Sequence, residues 1–346
     1  MDNLFLTRTL TAAINAMRPA STVIYDRLFR KHEHMEPTDR LAFDVITGSE
    51  SILANLSVYA PATIGNKTGR RTVTLQAPRL AEKRLINAAE LNAVRAFGSQ
   101  LSVQLMKTML NRELTDMRAK FDRTLEFWAS RALRGIIYDA DMSTQLINFG
   151  LDSDHTVTLS GVDLWTAPTT ANPIKNFRDW KRLIESDSGH NVTSWHAYIG
   201  WQAMDKMLMI HSVRDLITYS KGLEVLETGR IITIAGVTLE EYNKTFVDAS
   251  GATQYFIAPN EVVLVGDGDD VFDTPYAPVI DSAAPNGVGN VSSSGRSQMF
   301  FAKSWQVEDP SGTWIKCEGR PCPVVQRPDA VVRASVITLL QGGNPV

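Results

Sequence analysis

"LNRELTDMRAKFDRTLEFWASRALRG", residues 110–135, carries the strongest periodic pattern in the chain. Apolar side chains recur there at alternating steps of four and three, with charged side chains between them. They are Leu110, Leu114, Met117, Phe121, Leu125, Trp128 and Ala132. This spacing places them on one face of a helix, so it predicts one long helix from about 100 to 134, with Gly135 as its stop. At 1.5 Å per residue such a helix is roughly 50 Å long, which is more than most globular domains use.

The composition of the chain is that of an ordinary globular protein. Its 346 residues are 44% hydrophobic and 21% charged. The formal net charge of -3 gives no global attraction to nucleic acid or to an anionic membrane, so any contact with a polyanion must be local. There is no apolar run long enough for a membrane span and no clean signal-peptide cleavage site. Two cysteines in a chain of this length favour a reducing compartment.

The rest of the chain divides into segments with different patterns. Residues 1–37 are weakly amphipathic and are predicted to form an arm packed on something else. Residues 38–92 hold short strand-like pieces, which indicate a long hairpin or extended loop. Strands and helices alternate over about 170–300, with one helix from Pro173 to Gly189 and another over 201–220, and this predicts a compact α/β domain. Residues 300–340 return to strands, which we expect to pack beside the long helix.

A basic segment, "GNKTGRRTVTLQAPRLAEKR", lies at residues 65–84. Its cations are Lys67, Arg70, Arg71, Arg79, Lys83 and Arg84, and Glu82 is its one acid. Two interpretations remain open. The segment is either a solvated charged loop, as most charge runs are, or a contact arm, because long loops without a core of their own are usually functional or bound to a partner.

The two cysteines, Cys317 and Cys322, invite three interpretations. A structural zinc site needs four nitrogen or sulfur ligands, and no histidine follows His211. A disulfide is disfavoured in a reducing compartment. We therefore expect Cys317 to be a small apolar side chain in a strand, with Pro321 and Pro323 setting an extended edge segment after it.

Other candidate sites fail on spacing. His32, Glu33 and His34 are adjacent, and neighbours on a helix point apart. "GDGDDVFD", residues 266–273, lacks the glycine and oxygen ligand of a calcium loop. No phosphate-binding, dinucleotide or hydrolase motif is present. We therefore expect no catalytic residue, cofactor or metal. The alternative function is an enzyme with an active site near His196, Asp205 and His211.

Several stretches in order, from about Asp39 to Ile337, resemble the major capsid proteins of tailed bacteriophages of the lambda coat-protein type, the phage major capsid protein E family. "APATIGNKTGRRTVTLQAPRLAEKRLINAAEL" is similar to the family's extended loop. "DRTLEFWASRALRGIIYD" is similar to the end of its long spine helix. The most specific stretch is the ending "KSWQVEDPSGTWIKCEGRPCPVVQRPDAVVRASV", whose tryptophans, prolines and arginines keep the family's spacing.

The resemblance implies an α+β chain with the tailed-phage and herpesvirus major capsid protein fold. On that map residues 1–37 are the N-terminal arm, and 38–146 are the extended loop and the peripheral domain with the spine helix. Residues 147–295 are the axial α/β domain, and 296–346 are the return strands of the peripheral domain. The implied function is a structural head protein that self-assembles into an icosahedral shell around double-stranded DNA. The alternative is a non-viral nanocompartment shell of the same fold.

The resemblance also implies partners. We expect hexamers and pentamers of the chain itself, a portal protein and non-specific contact with packaged DNA, with no membrane. The resemblance also allows for a decoration protein. A separate scaffolding protein is expected because the start of the chain is too short for the cleaved scaffolding segment of some relatives. The expected location is the virion capsid, assembled in the host bacterial cytoplasm. Lys67, Arg70, Arg71, Arg79, Lys83 and Arg84 are then predicted to contact a neighbouring subunit.

Overall fold

The computed structural model describes residues 6–17, 22–47, 69–87, 99–220, 233–281, 283–284, 298–309 and 311–338. The contacts divide the chain into two compact units. The first unit is Met1–Ala42, Thr74–Ala129 and Asp273–Val324, and the second is Phe43–Val73, Ser130–Phe272 and Val325–Val346.

Helices and strands are both well represented. The helices are α1 (Thr7–Ala16), α2 (Ser99–Ala132), α3 (Pro173–Ser188), α4 (Trp201–Met209) and α5 (His211–Ser220). The strands are β1 (Glu33–Met35), β2 (Arg40–Thr47), β3 (Gly69–Gln76), β4 (Leu80–Asn87), β5 (Ile136–Tyr138), β6 (Gln145–Asn148), β7 (Thr156–Thr158), β8 (Ser194–Ile199), β9 (Thr233–Ile234), β10 (Val237–Glu241), β11 (Thr245–Val247), β12 (Thr253–Tyr255), β13 (Glu261–Asp267), β14 (Phe272–Tyr276), β15 (Phe300–Val307), β16 (Gly312–Gly319), β17 (Val324–Val325) and β18 (Val331–Ser335).

The long helix is confirmed as α2, which has 34 residues. All seven side chains of the predicted apolar stripe are buried. Phe121 of the stripe stacks on Phe300 of β15, with ring centroids 5.2 Å apart. The predicted stop is also confirmed, because Gly135 follows the helix at φ +83° and a Cβ there would lie 2.6 Å from the Cβ of Leu151.

A buried carboxylate on α2 anchors the segment that precedes β1. One oxygen of Glu126 accepts hydrogen bonds from the backbone N–H groups of Val23 and Ile24, both at 3.0 Å, and the other accepts from that of Tyr25 at 2.9 Å. These N–H groups open the short helical turn Tyr25–Phe29, where no intrahelical partner is available to them. Part of the predicted arm is therefore fixed to the long helix by three hydrogen bonds to one charged group.

Helix α1 covers the edge of a sheet in the first unit. The sheet has the antiparallel order β15–β16–β4, so β15 is an edge strand. The hydroxyl of Thr11 donates to the carbonyl of Ala302 at 2.9 Å and accepts from its N–H at 3.0 Å. The amide of Asn15 donates to the carbonyl of Phe300 at 2.6 Å and accepts from its N–H at 3.3 Å.

The spacing explains why a helix can do this. Residues four apart on a helix are about 6 Å apart along its axis, and alternate residues of a strand are about 6.8 Å apart. Thr11 and Asn15 can therefore bond to the backbone groups of Ala302 and Phe300 that point away from β16. At these two positions α1 takes the place of a neighbouring strand.

The second unit is built on a six-stranded mixed sheet in the order β7–β18–β13–β8–β10–β9. Strand β13 is antiparallel to both β8 and β18, and its first six residues are all buried. A strand covered on both faces has an unbroken apolar sequence, which is what "VVLVG" shows.

Helix α3 begins and ends where the sequence predicts. The side chain of Asn172 caps its N-terminus by accepting from the N–H of Lys175 at 3.0 Å, and Pro173 occupies the first turn. Gly189 ends the helix in the left-handed conformation, at φ +57°. Its buried face contributes Phe177 and Trp180 to the core of the second unit.

Two expectations differ from the structure. The single helix predicted over 201–220 is two helices, because Ile210 is extended (ψ 133°) and fully buried, and the N–H of His211 bonds to the carbonyl of Pro168. The final strands do not all return to the long helix. β15 does so through Phe300, whereas β18 pairs with β13 and β7 in the sheet of the second unit.

Replacing Thr11 by Val tests the edge contact of α1. The substitution keeps the shape of the side chain but leaves the buried N–H and carbonyl of Ala302 without their partner, so we expect the free energy of unfolding to fall by about 1–3 kcal/mol. Urea denaturation of the full chain measures it. Thr9→Val, at an exposed position of the same helix, is the matched control and should change stability by less than about 0.5 kcal/mol. Equal effects of the two substitutions would contradict the edge contact.

Candidate subunit-contact surface

The basic residues singled out in the sequence lie on two strands and the link between them. Arg70 and Arg71 are in β3, Arg79 is in the link, and Lys83 and Arg84 are in β4. Lys67 lies outside the described residues. Strand β3 pairs with β2, and β4 forms one edge of the β15–β16–β4 sheet, so five cations of one short segment are divided between two sheets.

The two arginines of β3 have partners within the second unit. A guanidinium nitrogen of Arg70 lies 3.1 Å from a carboxylate oxygen of Asp44 on β2, and the Arg70 side chain is 63% exposed. Arg71 donates to the backbone carbonyl of Phe149 at 3.1 Å. Arg70 thus keeps most of its surface in solvent, while Arg71 is tied to a loop of its own unit.

Arg79 forms a forked ion pair with a buried acid in the first unit. Its guanidinium donates to the two carboxylate oxygens of Glu318 at 2.8 and 3.0 Å, and Lys316 also pairs with Glu318. The Glu318 side chain is 1% exposed, whereas that of Arg79 is 58% exposed. This pair joins the link before β4 to β16, and it leaves the outer side of Arg79 accessible.

Arg84 connects β4 to the long helix. It donates to Glu113 of α2 at 2.7 Å and to Glu82 at 3.1 Å. Lys120 of α2 donates to the same Glu82 at 2.6 Å. Arg84 therefore donates hydrogen bonds to one acid of α2 and one of its own strand, and the local sequence of the basic segment does not reveal the partner on α2.

One face of the β15–β16–β4 sheet carries an aromatic and cationic surface that the sequence analysis missed. Trp305 and Trp314 stack with ring centroids 6.5 Å apart, and Trp305 is 37% exposed. The ammonium group of Lys83 lies 4.8 Å from the centroid of Trp314, and that of Lys303 lies 5.6 Å from Trp305. Large aromatic side chains are enriched in protein interfaces. The sequence did hold a signal for this surface: in "KSW" and "TWIK" a lysine and a tryptophan are two residues apart, and alternate residues of a strand share a face.

The electrostatics of this region centre on Glu318. Burial raises the pKa of its carboxyl group, but the hydrogen bonds from Arg79 and Lys316 together with the positive charges of both residues hold the pKa below its ordinary value. Asp281 behaves in the same way: burial raises its pKa, and the hydrogen bond from Lys303 is the main effect that lowers it. Both acids are therefore held as carboxylates at neutral pH by cations of the same sheet.

The structure also places the side chains that were considered for metal, redox or enzyme chemistry. Cys317 and Cys322 are free and buried, and burial raises the pKa of each thiol to about 12. His196 lies in β8, with its Nε2 3.1 Å from the hydroxyl of Ser194, while Asp205 and His211 are exposed on α4 and α5. Within the described part of the chain, no three His, Cys, Asp or Glu side chains are grouped to hold a metal ion. No helix in that part is both long and apolar enough to span a membrane.

One family model matches nearly the whole chain. The model of the family described as phage major capsid protein E matches residues 6–336. A search of the curated proteins finds no match to the chain.

Several solved structures share the fold. A prophage capsid protein from E. coli CFT073 superposes with a TM-score of 0.64 at 14% identity, covering 96% of this chain and 99% of that one. The capsid of cyanophage P-SCSP1u gives a TM-score of 0.53 at 12% identity and covers 92% and 89% of the two chains. The mature capsid of bacteriophage PhiM1 gives 0.52 at 10% identity, with 94% and 91% covered. At these identities the likeness establishes the fold, which is the one predicted from the sequence.

The lowered pKa of Glu318 leads to a prediction about acid stability. A carboxyl group with a lowered folded-state pKa stabilises the fold above its unfolded pKa, and this stabilisation is lost as pH falls through the folded pKa. Glu318→Gln should therefore be less stable than wild type at neutral pH and should lose less stability between about pH 5 and 3. Urea denaturation across this range measures both effects. Glu308→Gln, at an exposed position, is the control, and its stability should depend on pH as that of wild type does. If Glu318→Gln also keeps the wild-type dependence on acid, the lowered pKa of Glu318 is refuted.

Proposed function

Since the chain belongs to the phage major capsid protein E family, we propose that the segment from β3 to β4 contacts a neighbouring subunit in the shell that the chain builds. The chain is a structural major capsid protein, and its copies associate to form the virion capsid. The family match over residues 6–336 is the observation that carries this function. It favours the phage shell over the nanocompartment alternative.

The exposure of the basic residues supports the contact. Arg70 and Arg79 each bind one carboxylate within the chain, yet their side chains remain 63% and 58% exposed. An arginine has five N–H donors in a planar fork, so one that already donates to one carboxylate can still donate to a second. Lys67, Arg71, Lys83 and Arg84 belong to the same proposed contact. The partner surface is acidic and lies on the next copy.

A contact of this kind suits a shell. Exposed ion pairs contribute little individually, about 0–1 kcal/mol each. In a closed assembly every subunit repeats the same contact, so many weak contacts stabilise the whole while wrongly placed subunits can still dissociate. An icosahedral shell of hexamers and pentamers is proposed from the family to which the chain belongs.

The remaining partners are part of the same proposal. A scaffolding protein directs curvature, a portal protein occupies one vertex, and a decoration protein can cover the lattice. The shell forms in the cytoplasm of the host bacterium and encloses double-stranded DNA, which it contacts without reading sequence. The domain assignment of residues 38–146 and 296–346 as peripheral and 147–295 as axial also belongs to this proposal.

Electron microscopy tests the function directly. The purified chain is imaged in negative stain after expression alone and with its neighbouring genes. Uniform shells, or rings of five and six subunits, are the expected result. Only small particles in both samples would be evidence against a shell protein.

Charge reversal tests the proposed contact. Arg70→Glu combined with Arg71→Glu should abolish shell formation while the subunit stays soluble, because both positions would then repel an acidic neighbour. Sedimentation and negative-stain microscopy measure shell yield.

Adding Asp44→Arg to this variant gives the control, because it restores the internal ion pair of residue 70 with reversed charges. Shells should remain absent. Recovery of shells would show that the effect is internal to the subunit, and normal shells from the original double variant would refute the contact.

A further inference from the structure

The outer face of α3 has a concentration of positive charge in a shallow depression. The depression has a volume of about 260 Å³ and is lined by Arg178, Lys181, Arg182, Glu185 and Ala235. Three of these five residues are cations and one is an acid. The chain as a whole carries a net charge of -3, so this depression is a local exception to its overall charge.

The central cation of the depression is held in place. The ammonium group of Lys181 lies 4.8 Å from the centroid of the Trp195 ring and 3.3 Å from the carbonyl oxygen of Ala235. Ala235 and Gly236 form the turn between β9 and β10 with positive φ angles of 51° and 77°. Such a turn aims its carbonyl group at a fixed point. Lys181 is thereby oriented by neutral groups and not by an ion pair.

The flanking arginines add to this excess. Arg182 pairs with Asp179 at 3.0 Å, and the two side chains are 66% and 45% exposed. Within the part of the chain that the structure describes, neither Arg178 nor Lys181 has an ion-pair partner. An anion entering the depression would meet two cations that have no acid of their own and a third whose pair is weakened by solvent.

We propose that this depression binds phosphate groups of double-stranded DNA inside the shell. The proposal rests on the proposed function, because a shell around DNA is what brings the two together. Guanidinium forks match the geometry of phosphate oxygens, and an ammonium group supplies a point charge between them. The lining has no asparagine, glutamine or exposed aromatic side chain, and we assign its cations to backbone phosphates, which carry no sequence information.

The position of the cations on α3 fits an extended polyanion. Arg178 and Arg182 are four residues apart and therefore about 6 Å apart along the helix axis. A DNA strand carries one phosphate per about 3.4 Å of its axis, so the two arginines can reach different phosphates of one backbone. A few such contacts per subunit give weak local binding, which suits DNA that must also leave.

The test measures binding of the full-length chain to a short DNA duplex as a function of salt. The variant is Arg178→Gln with Arg182→Gln. Its affinity should fall for duplexes of unrelated sequence alike, and the slope of log affinity against log salt should decrease by about one for each arginine removed. Fluorescence anisotropy measures this. The matched control is Arg112→Gln with Arg123→Gln, which removes the same charge from two exposed positions of α2 and should bind like wild type.

The outcomes separate this site from the proposed function. Unchanged DNA binding in the Arg178 and Arg182 variant, or no binding by wild type, overturns the site. Loss of shells with unchanged DNA binding also overturns the DNA site. In that case this face of α3 contacts an acidic surface on a second copy of the chain. Shell formation by wild type is read separately by microscopy, so a failure there concerns the proposed function alone. Circular dichroism checks that each variant is folded. Lys181→Gln is a second variant, and this single substitution should also weaken DNA binding.

Discussion

The burial of one face of α2 is the constraint on which the first unit depends. The stripe from Leu110 to Ala132 is buried along its whole length, and Phe121 stacks on β15. Polar groups on the same helix then fix its surroundings: Glu126 holds the backbone of the arm, and Glu113 holds Arg84 of β4. Apolar packing supplies the stability, and these few charge-assisted bonds determine which segment lies where.

Much of the fold could be predicted because its signals are local. The stripe of α2, the cap and stop of α3 and the unbroken apolar run of β13 each follow from a few adjacent residues. The break at Ile210 could not, because it depends on a contact with Pro168 and on burial. Periodicity reports a preference for a helix, but tertiary contacts decide where the helix ends.

The sequence marks the basic segment of the candidate contact surface but not the partners of its side chains. A run of cations showed where to look, but Arg79 meets Glu318, which is 239 residues away. The tryptophan pair likewise requires knowledge of strand register, which pairs Trp305 with Trp314. These internal partners mean that the basic segment is both part of the subunit's own fold and a candidate for contact with the next copy.

The closure of β15 by α1 has a consequence for how the chain is made. Thr11 leaves the ribosome long before Ala302, its partner 291 residues later. The group that covers the edge is therefore already available when the edge first forms. A capsid protein is synthesised in many copies at once, and an open strand edge on a newly made chain can pair with the same edge of its neighbour. Because α1 is made first, each chain can cover the β15 edge itself before a neighbouring chain pairs with that edge.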